Sequence, residues 1–501
     1  NPHNNDILCR HYSSINKFDK EPGIMRVEVE RAIKQMRDGK APGYDSITAE
    51  ELKAAGEKGI DAIHKLCNKI WDTETFPEDW GKAVITPIYK KKDKLDCNNY
   101  RGISLLSHAG KIMISILQNR IKERTEDKLS EAQAGFRRGR GTVDQLFTLR
   151  QLTEKYLERG KKLYICYIDF EKAFDRVWQK GLWHAMAFFG FTQKIINLLK
   201  ALYKISQSAV RVNGSLTDWF ATSVGVRQGC VISPQLFNIL LEVAMLYALH
   251  DQDIGAHING HIINNLRFAD DIALIAESEQ DLQKLVSAVN ESCSQLGLKI
   301  SISKTQVQVI SKEPEQLRIK IDNHLLDQVK SFTYLGGVIT ENSTSEQDVK
   351  RRIGLSYAAM NNLNSIWSAK NISVPTKVSL YRILVLSILL YGAETWTLKA
   401  GDERRLHTFE MSCLRRIMGV SRRDRLRNDH IRATLGVNKK IQELIHVRRL
   451  TYFGHATRMD NTRSPKITIE GSVQGTRPRG RPPKRWKDCL KESCTLGGHN
   501  I

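Results

Sequence analysis

Residues 266–276 read LRFADDIALIA, two apolar runs with a pair of adjacent aspartates between them. Neighbouring carboxylates are costly in an apolar strand unless a turn exposes them or a cation neutralises them. The pattern therefore predicts a β-hairpin with Asp270 and Asp271 at its tip. A second apolar run, LYICYI at 163–168, alternates in aromatics and predicts a buried strand that delivers Asp169 at its C-terminal end. Alone, an Asp-Asp pair is common in turns, and Asp169 suits a helix N-cap.

Phosphoryl transfer from a nucleotide needs two divalent ions roughly 3.5–4 Å apart, holding attacking and leaving oxygens in line. Hard Mg²⁺ takes carboxylate oxygens, one or two per ion, completed by water and phosphate. A lone aspartate from one strand and an adjacent pair from a neighbouring hairpin supply that donor set.

Outward from these stretches, helical and extended patterns alternate. Residues 26–36 fit an amphipathic helix that stops at Gly39, before the turn composition KAPGYD. A second helix is expected over about 48–71, then a short strand in AVITPIY (83–89) and a lysine-rich loop, KKKDK (90–94). Helical spacing returns over 111–124 and 143–157. The stretch at 224–249 reads as a glycine-containing loop running into a helix, and SFTYLGGVI (331–339) as a tight hairpin with Gly336-Gly337 as its turn. Residues 346–398 are helical in pattern. The chain is arginine-rich beyond Gly401, and rich in Pro, Gly and Arg after about 464, where flexibility is expected.

The 501 residues allow about three domains. No apolar run approaches the ~20 residues that cross a bilayer, and NPHNNDILCR lacks the order of a secretion signal, so no membrane partner is expected. A start without methionine is what a fragment of a longer chain would show. Seventy-seven Lys/Arg against 55 Asp/Glu give +22, which predicts attraction to a polyanion. Residues 401–501 hold 23 basic and 10 acidic residues, +13 of that excess. Nine scattered cysteines, odd in number and without repeated spacing, read as reduced intracellular thiols. Cys489, Cys494 and His499 lack a fourth ligand and a suitable order, so no zinc site is predicted.

The sequence resembles the reverse transcriptase of non-LTR (LINE-type) retrotransposons over nearly its full length. The resemblance is carried by GKAPGYDSITAEELK (39–53), NNYRGISLLSHAGKIMISILQNRI (98–121), EAQAGFRRGRGTVDQL (131–146) and YIDFEKAFDRV (167–177). It continues through GVRQGCVISPQLFNILLE (225–242), LRFADDIALIA (266–276), GLKISISKT (297–305) and FTYLGGVI (332–339). Eight blocks in the family's order are far more specific than any one.

That resemblance implies an α+β right-hand polymerase: fingers over 26–165 after an N-terminal segment (1–25), a palm over 166–345 and a thumb over 346–400. A basic helical C-terminal domain (401–463) and a flexible basic tail (464–501) complete the expectation. Asp169, Asp270 and Asp271 match the catalytic aspartates that hold two Mg²⁺ ions, with Mn²⁺ as a substitute and the Phe170 backbone as a further ligand. Phe174 falls where the family places an aromatic beneath the incoming sugar; a core role on the Ala173-Phe174-Val177 face competes. Gln228 and Gly229 lie in the loop that packs against template and nascent base pair. Arg101, Arg137 and Arg138 match basic residues that grip the triphosphate, the alternative being a solvated charged face. Lys304 resembles a proton donor to departing pyrophosphate, and Leu335, Gly336 and Gly337 the primer-grip hairpin. Two departures stand out: Val231-Ile232 where the family has Pro-Leu, and Ser301 where asparagine is typical.

The expected partners are template RNA, primer or target DNA and deoxynucleoside triphosphates, in a ribonucleoprotein of nucleus and cytoplasm. The family carries an endonuclease upstream; nothing in the chain matches one, so cleavage is expected in cis from a missing segment or in trans. Arg479, Gly480, Arg481 and Pro482 resemble an AT-hook for A·T-rich minor grooves, against which a generic basic tail or nuclear import signal competes. The rival readings are a degenerate copy that only binds nucleic acid, an accessory binding protein, and a group II intron-type reverse transcriptase.

Overall fold

The computed structural model describes residues 21–90, 93–250, 252–313, 315–480 and 483–496, which form two compact units interleaved along the chain. Helices and strands are mixed in both, as an α+β chain requires.

The first unit takes residues up to Arg138, then Asp169–Gln252 and Ser287–Ser301. Its sheet centres on Lys82–Tyr89, antiparallel to Tyr100–Leu106 and parallel to Gln207–Val212. Helix Arg26–Gln35 is fastened to helix His108–Thr125 by Arg120, whose fork bonds both Glu28 oxygens at 2.9 and 2.7 Å. The helix expected over 48–71 is two helices, Ala49–Ala54 and Gly56–Thr73. Gly56 at φ +59° breaks the run, a conformation that costs glycine no Cβ clash.

The second unit takes Gly139–Ile168, Asp253–Val286 and Ile302–Ile501. Its five-stranded sheet runs in the order Asp327–Gln328, Gln306–Ile310, Leu163–Ile168, Asp271–Ala276, Asn265–Phe268. Leu163–Ile168 is buried along its whole length, as the apolar run requires of a central strand. Strand periodicity sends Ile165 and Tyr167 to one face, with Ala273 and Ile275, into a core shared with Leu146, Leu149, Leu152 and Tyr156 of helix Thr142–Glu158. Burying each large aliphatic there contributes about 1.5–3 kcal/mol.

Helices from Glu346 onward enclose a second core around Trp396, Leu406 and Leu414. The tail expected to be flexible holds two helices among its described residues, with 471–480 and 483–485 outside any helix or strand. Helices Ser464–Glu470 and Trp486–Leu496 are present, and Trp486 is fully buried. Its ring meets Phe147 edge-on at 4.8 Å and its indole N–H donates to the Glu394 carbonyl. Composition alone missed this, because one tryptophan can anchor a polar segment when its partners lie elsewhere in the chain.

Among the described residues, eight cysteines are free, seven of them buried, and no helix is long and apolar enough to cross a membrane. Cys489 and Cys494 are buried on helix Trp486–Leu496; His499 lies outside the described residues.

Candidate active site

The aspartate pair sits at a tight hairpin in the second unit. Asp271 pairs with Phe268, so the turn consists of Ala269 and Asp270, and Asp271 begins the return strand rather than sharing the tip. Ala269 adopts φ +59° in this two-residue turn, where glycine is the usual occupant. The strain is paid at the residue that aims Asp270, a common placement at functional sites. Asp270 is half-buried and Asp271 exposed.

Strand Asp271–Ala276 lies antiparallel to Leu163–Ile168, with Ile272 opposite Ile168. Asp169 follows Ile168 directly, and Asp271 directly precedes Ile272. Behind the hairpin, Tyr167 stacks on Phe332 at 3.9 Å and donates to Gln308 Oε1 at 2.9 Å. The Tyr334 hydroxyl donates to the Leu266 carbonyl at 3.0 Å, tying the 331–340 hairpin to the aspartate hairpin. Burial pushes the Tyr334 phenol well above its usual value, and the negative charge of Asp271 pushes it further.

That second hairpin turns on Leu335 (φ +45°) and Gly336 (φ +80°), not on Gly336-Gly337. Gly337 opens the return strand, where a Cβ would meet Leu146 Cδ2 at 2.8 Å. The Gly336 carbonyl accepts from Arg351 and Arg352, and Leu335's from Tyr391. Two glycines in a row signalled a turn, but one of them is there for packing.

In the first unit, the Asp169 carbonyl accepts from Ser301 N at 2.8 Å, and Phe170 bridges Ile300. Ser301 is buried in this pairing, which its backbone alone supports. Phe174, half-buried on the short helix Ala173–Arg176, stacks on Phe237 at 4.9 Å. Its carbonyl accepts from Val226 N, which docks the 225–229 loop beneath it. Gln228 donates to Asp175 Oδ1 at 2.9 Å, a partnership the sequence did not suggest. A Cβ on Gly229 would meet the Ser104 carbonyl at 2.7 Å, so this glycine permits a close approach within the protein. Arg227 is buried, bonding Ser206 Oγ and the carbonyls of Trp80 and Gly81.

The basic residues divide. Arg101 and Arg138 are exposed on the first unit, and Lys304 is exposed on a turn of the second. Arg137 departs from its expected triphosphate role. It is buried, with its fork spent on the Glu126 carboxylate and on the carbonyls of Ser130, Gln133 and Glu126. Arginine with five rigid donors suits organising a loop as well as gripping phosphate. Arg479 and Gly480 are exposed, whereas Arg481 and Pro482 lie outside the described residues.

Among the described residues, no cluster of three or more His, Cys, Asp or Glu side chains could by itself hold a metal ion. Mg²⁺ at nucleotide sites uses one or two carboxylates with substrate phosphates completing its shell, so the aspartates suit it by donor type.

Residues 89–339 match the family described as Reverse transcriptase (RNA-dependent DNA polymerase). The chain is 27% identical over 407 residues to a probable RNA-directed DNA polymerase from transposon BS of Drosophila melanogaster, covering 78% of this chain and 44% of that protein. It is 24% identical over 405 residues to the RNA-directed DNA polymerase from mobile element jockey of Drosophila funebris, again 78% and 44%. With a Pol polyprotein from the type-1 retrotransposable element R2 of Popillia japonica, identity is 26% over 388 residues, 74% of this chain and 51% of the relative. The chain thus spans about half the length of the curated relatives it matches. The matched segment holds the aspartate hairpin, the strand before Asp169 and the Tyr334 hairpin, and on this ground the chain belongs to the reverse transcriptase family.

Proposed function

We propose that the chain is the polymerase of a non-LTR retrotransposon, adding deoxynucleotides to a primer 3′-OH on an RNA template and releasing pyrophosphate. The observation that carries this is the strand register within the matched segment. The last registered pair, Ile168 with Ile272, has Asp169 as the next residue along one strand's chain and Asp271 as the residue before the other, with Asp270 in the adjoining turn. The layout proposed along the chain is fingers (26–165), palm (166–345) and thumb (346–400).

Two Mg²⁺ ions, with Mn²⁺ as substitute, would hold the attacking and leaving oxygens in line. Asp169, Asp270, Asp271 and the Phe170 carbonyl are the ligands proposed. The chain's other residues position the substrate. Phe174, propped on Phe237, blocks a ribose 2′-OH; Gln228, held by Asp175, and Gly229 lie against the nascent base pair. Arg101 and Arg138 contact the triphosphate, Lys304 gives a proton to pyrophosphate, and the Leu335–Gly336–Gly337 hairpin grips the primer. Target-primed synthesis follows from the kind of element, with an endonuclease in cis or in trans, in a ribonucleoprotein of nucleus and cytoplasm.

The test is extension of a labelled DNA primer on an RNA template with Mg²⁺, beside Asp270→Ala/Asp271→Ala. The parent extends and the double variant does not. Extension by both, or by neither, counts against the reading, and a chain that only binds nucleic acid extends nothing.

A further inference from the structure

The segment SRRDRLR (421–427) joins helix Ala400–Met418 to helix Asn428–Leu435, outside the family match. Arg422, Arg423, Arg425 and Arg427 are all exposed, and none forms an ion pair among the described residues. The one carboxylate between them is occupied: Asp424 accepts from Ser421 N at 2.6 Å and from Ser421 Oγ at 2.9 Å. Flanking arginines are held by neutral partners, Arg415 by Asn428 and Arg416 by Asn361 and Asn364, so their charge stays uncompensated. Residues 415–429 carry six arginines and two aspartates, a net +4. A helix C-terminus offsets only about half a charge, too little to account for such a cluster.

The turn is shaped. A Ser421–Asp424 capping box closes its 3₁₀ turn, and Arg425 takes φ +51°, where glycine or asparagine would sit without strain. Placing arginine there keeps a fourth cation at the expense of backbone comfort. No Phe, Tyr or Trp lies between Phe409 and Tyr452 in the sequence, so the turn itself supplies none of these rings for an unpaired base to stack on.

We propose that the 421–427 turn, outside the residues matched to the family, is a docking surface for the phosphate backbone of duplex nucleic acid. Four exposed guanidiniums on a capped turn suit paired phosphate contacts and read no sequence. Full-length protein is titrated with a fluorescent 20-base-pair DNA duplex across 50–200 mM KCl, beside Arg422→Gln/Arg423→Gln/Arg425→Gln/Arg427→Gln and the fourfold Arg→Lys variant. At about 0.9 per phosphate, the glutamine variant lowers the slope of log K against log salt by about 3 to 4, while the lysine variant keeps most of it. Primer-extension kcat at saturating template is unchanged in both, which separates this surface from the polymerase reading and shows that the variants fold. A slope within 1 of the parent's, an equal loss on single-stranded DNA, or a loss seen only on anionic vesicles overturns the proposal.

Discussion

Ile168 and Ile272 face each other across two antiparallel strands, and each is the chain neighbour of an aspartate, Asp169 beyond one and Asp271 before the other. In a strand buried on both faces a one-residue slip exchanges the side chains packed against each face, so the fit of Ile165 and Tyr167 into one core specifies the register. The apolar residues of these strands therefore set where the carboxylates emerge.

Ala269 is strained for the sake of the turn it makes. Replacing it by glycine relieves roughly 1–2 kcal/mol of left-handed strain but forfeits a buried methyl and frees the unfolded chain by similar amounts. Ala269→Gly is expected to leave stability within about 0.5 kcal/mol by thermal melting, whereas Ala269→Val loses about 1–3 kcal/mol because a β-branched residue resists positive φ.

Phe174 is propped on Phe237 with part of its ring exposed. Truncation to alanine opens the space a 2′-OH would need. Relative kcat/KM for ribonucleotides over deoxynucleotides is expected to rise roughly 10- to 200-fold, measured by single-nucleotide extension. An unchanged ratio would assign this ring to packing alone.

Arg137 and Arg138 are neighbours with opposite expectations. Arg137→Ala leaves buried carbonyls without donors and should cost roughly 3 kcal/mol in denaturant unfolding. Arg138→Ala, at an exposed position, should stay within about 0.5 kcal/mol and raise KM for the nucleotide instead.

How much of this was legible differs residue by residue. The buried strand 163–168 and the hairpin at 266–276 were readable because apolar alternation is a local signal. Turn positions slipped by one residue at both hairpins, since composition draws the eye to Gly336-Gly337 and Asp270-Asp271 while register depends on the partner strand. The burial of Arg137 and Trp486 was not legible at all. Their partners Glu126, Phe147 and Glu394 are set by the fold, and nothing in RRGR or KRW distinguishes a buried cation or ring from a solvated one.

Glu154 makes stability depend on pH. Burial pushes its carboxyl up to about 7, against hydrogen bonds from Trp486 N and Thr397 Oγ1 that pull it down. A raised carboxyl means that the folded state holds a proton the unfolded state has released, so stability falls as pH rises from about 4.5 to 7 and levels above that. The loss is on the order of 3 kcal/mol. Melting from pH 5 to 8 should show this decline in the parent and a flatter profile in Glu154→Gln.

The proposal that Asp169 and Asp271 act together is most directly tested by a cross-link. Residues opposite one another in an antiparallel pair have Cα atoms about 4.5–5.5 Å apart, within the roughly 4.4–6.8 Å that a disulfide spans. Asp169→Cys/Asp271→Cys, in a background with the exposed Cys97 replaced by serine, is oxidised mildly and mapped by peptide mass spectrometry. A 169–271 disulfide in high yield is the predicted result; two free thiols at those positions, in protein that melts like the parent, would contradict it.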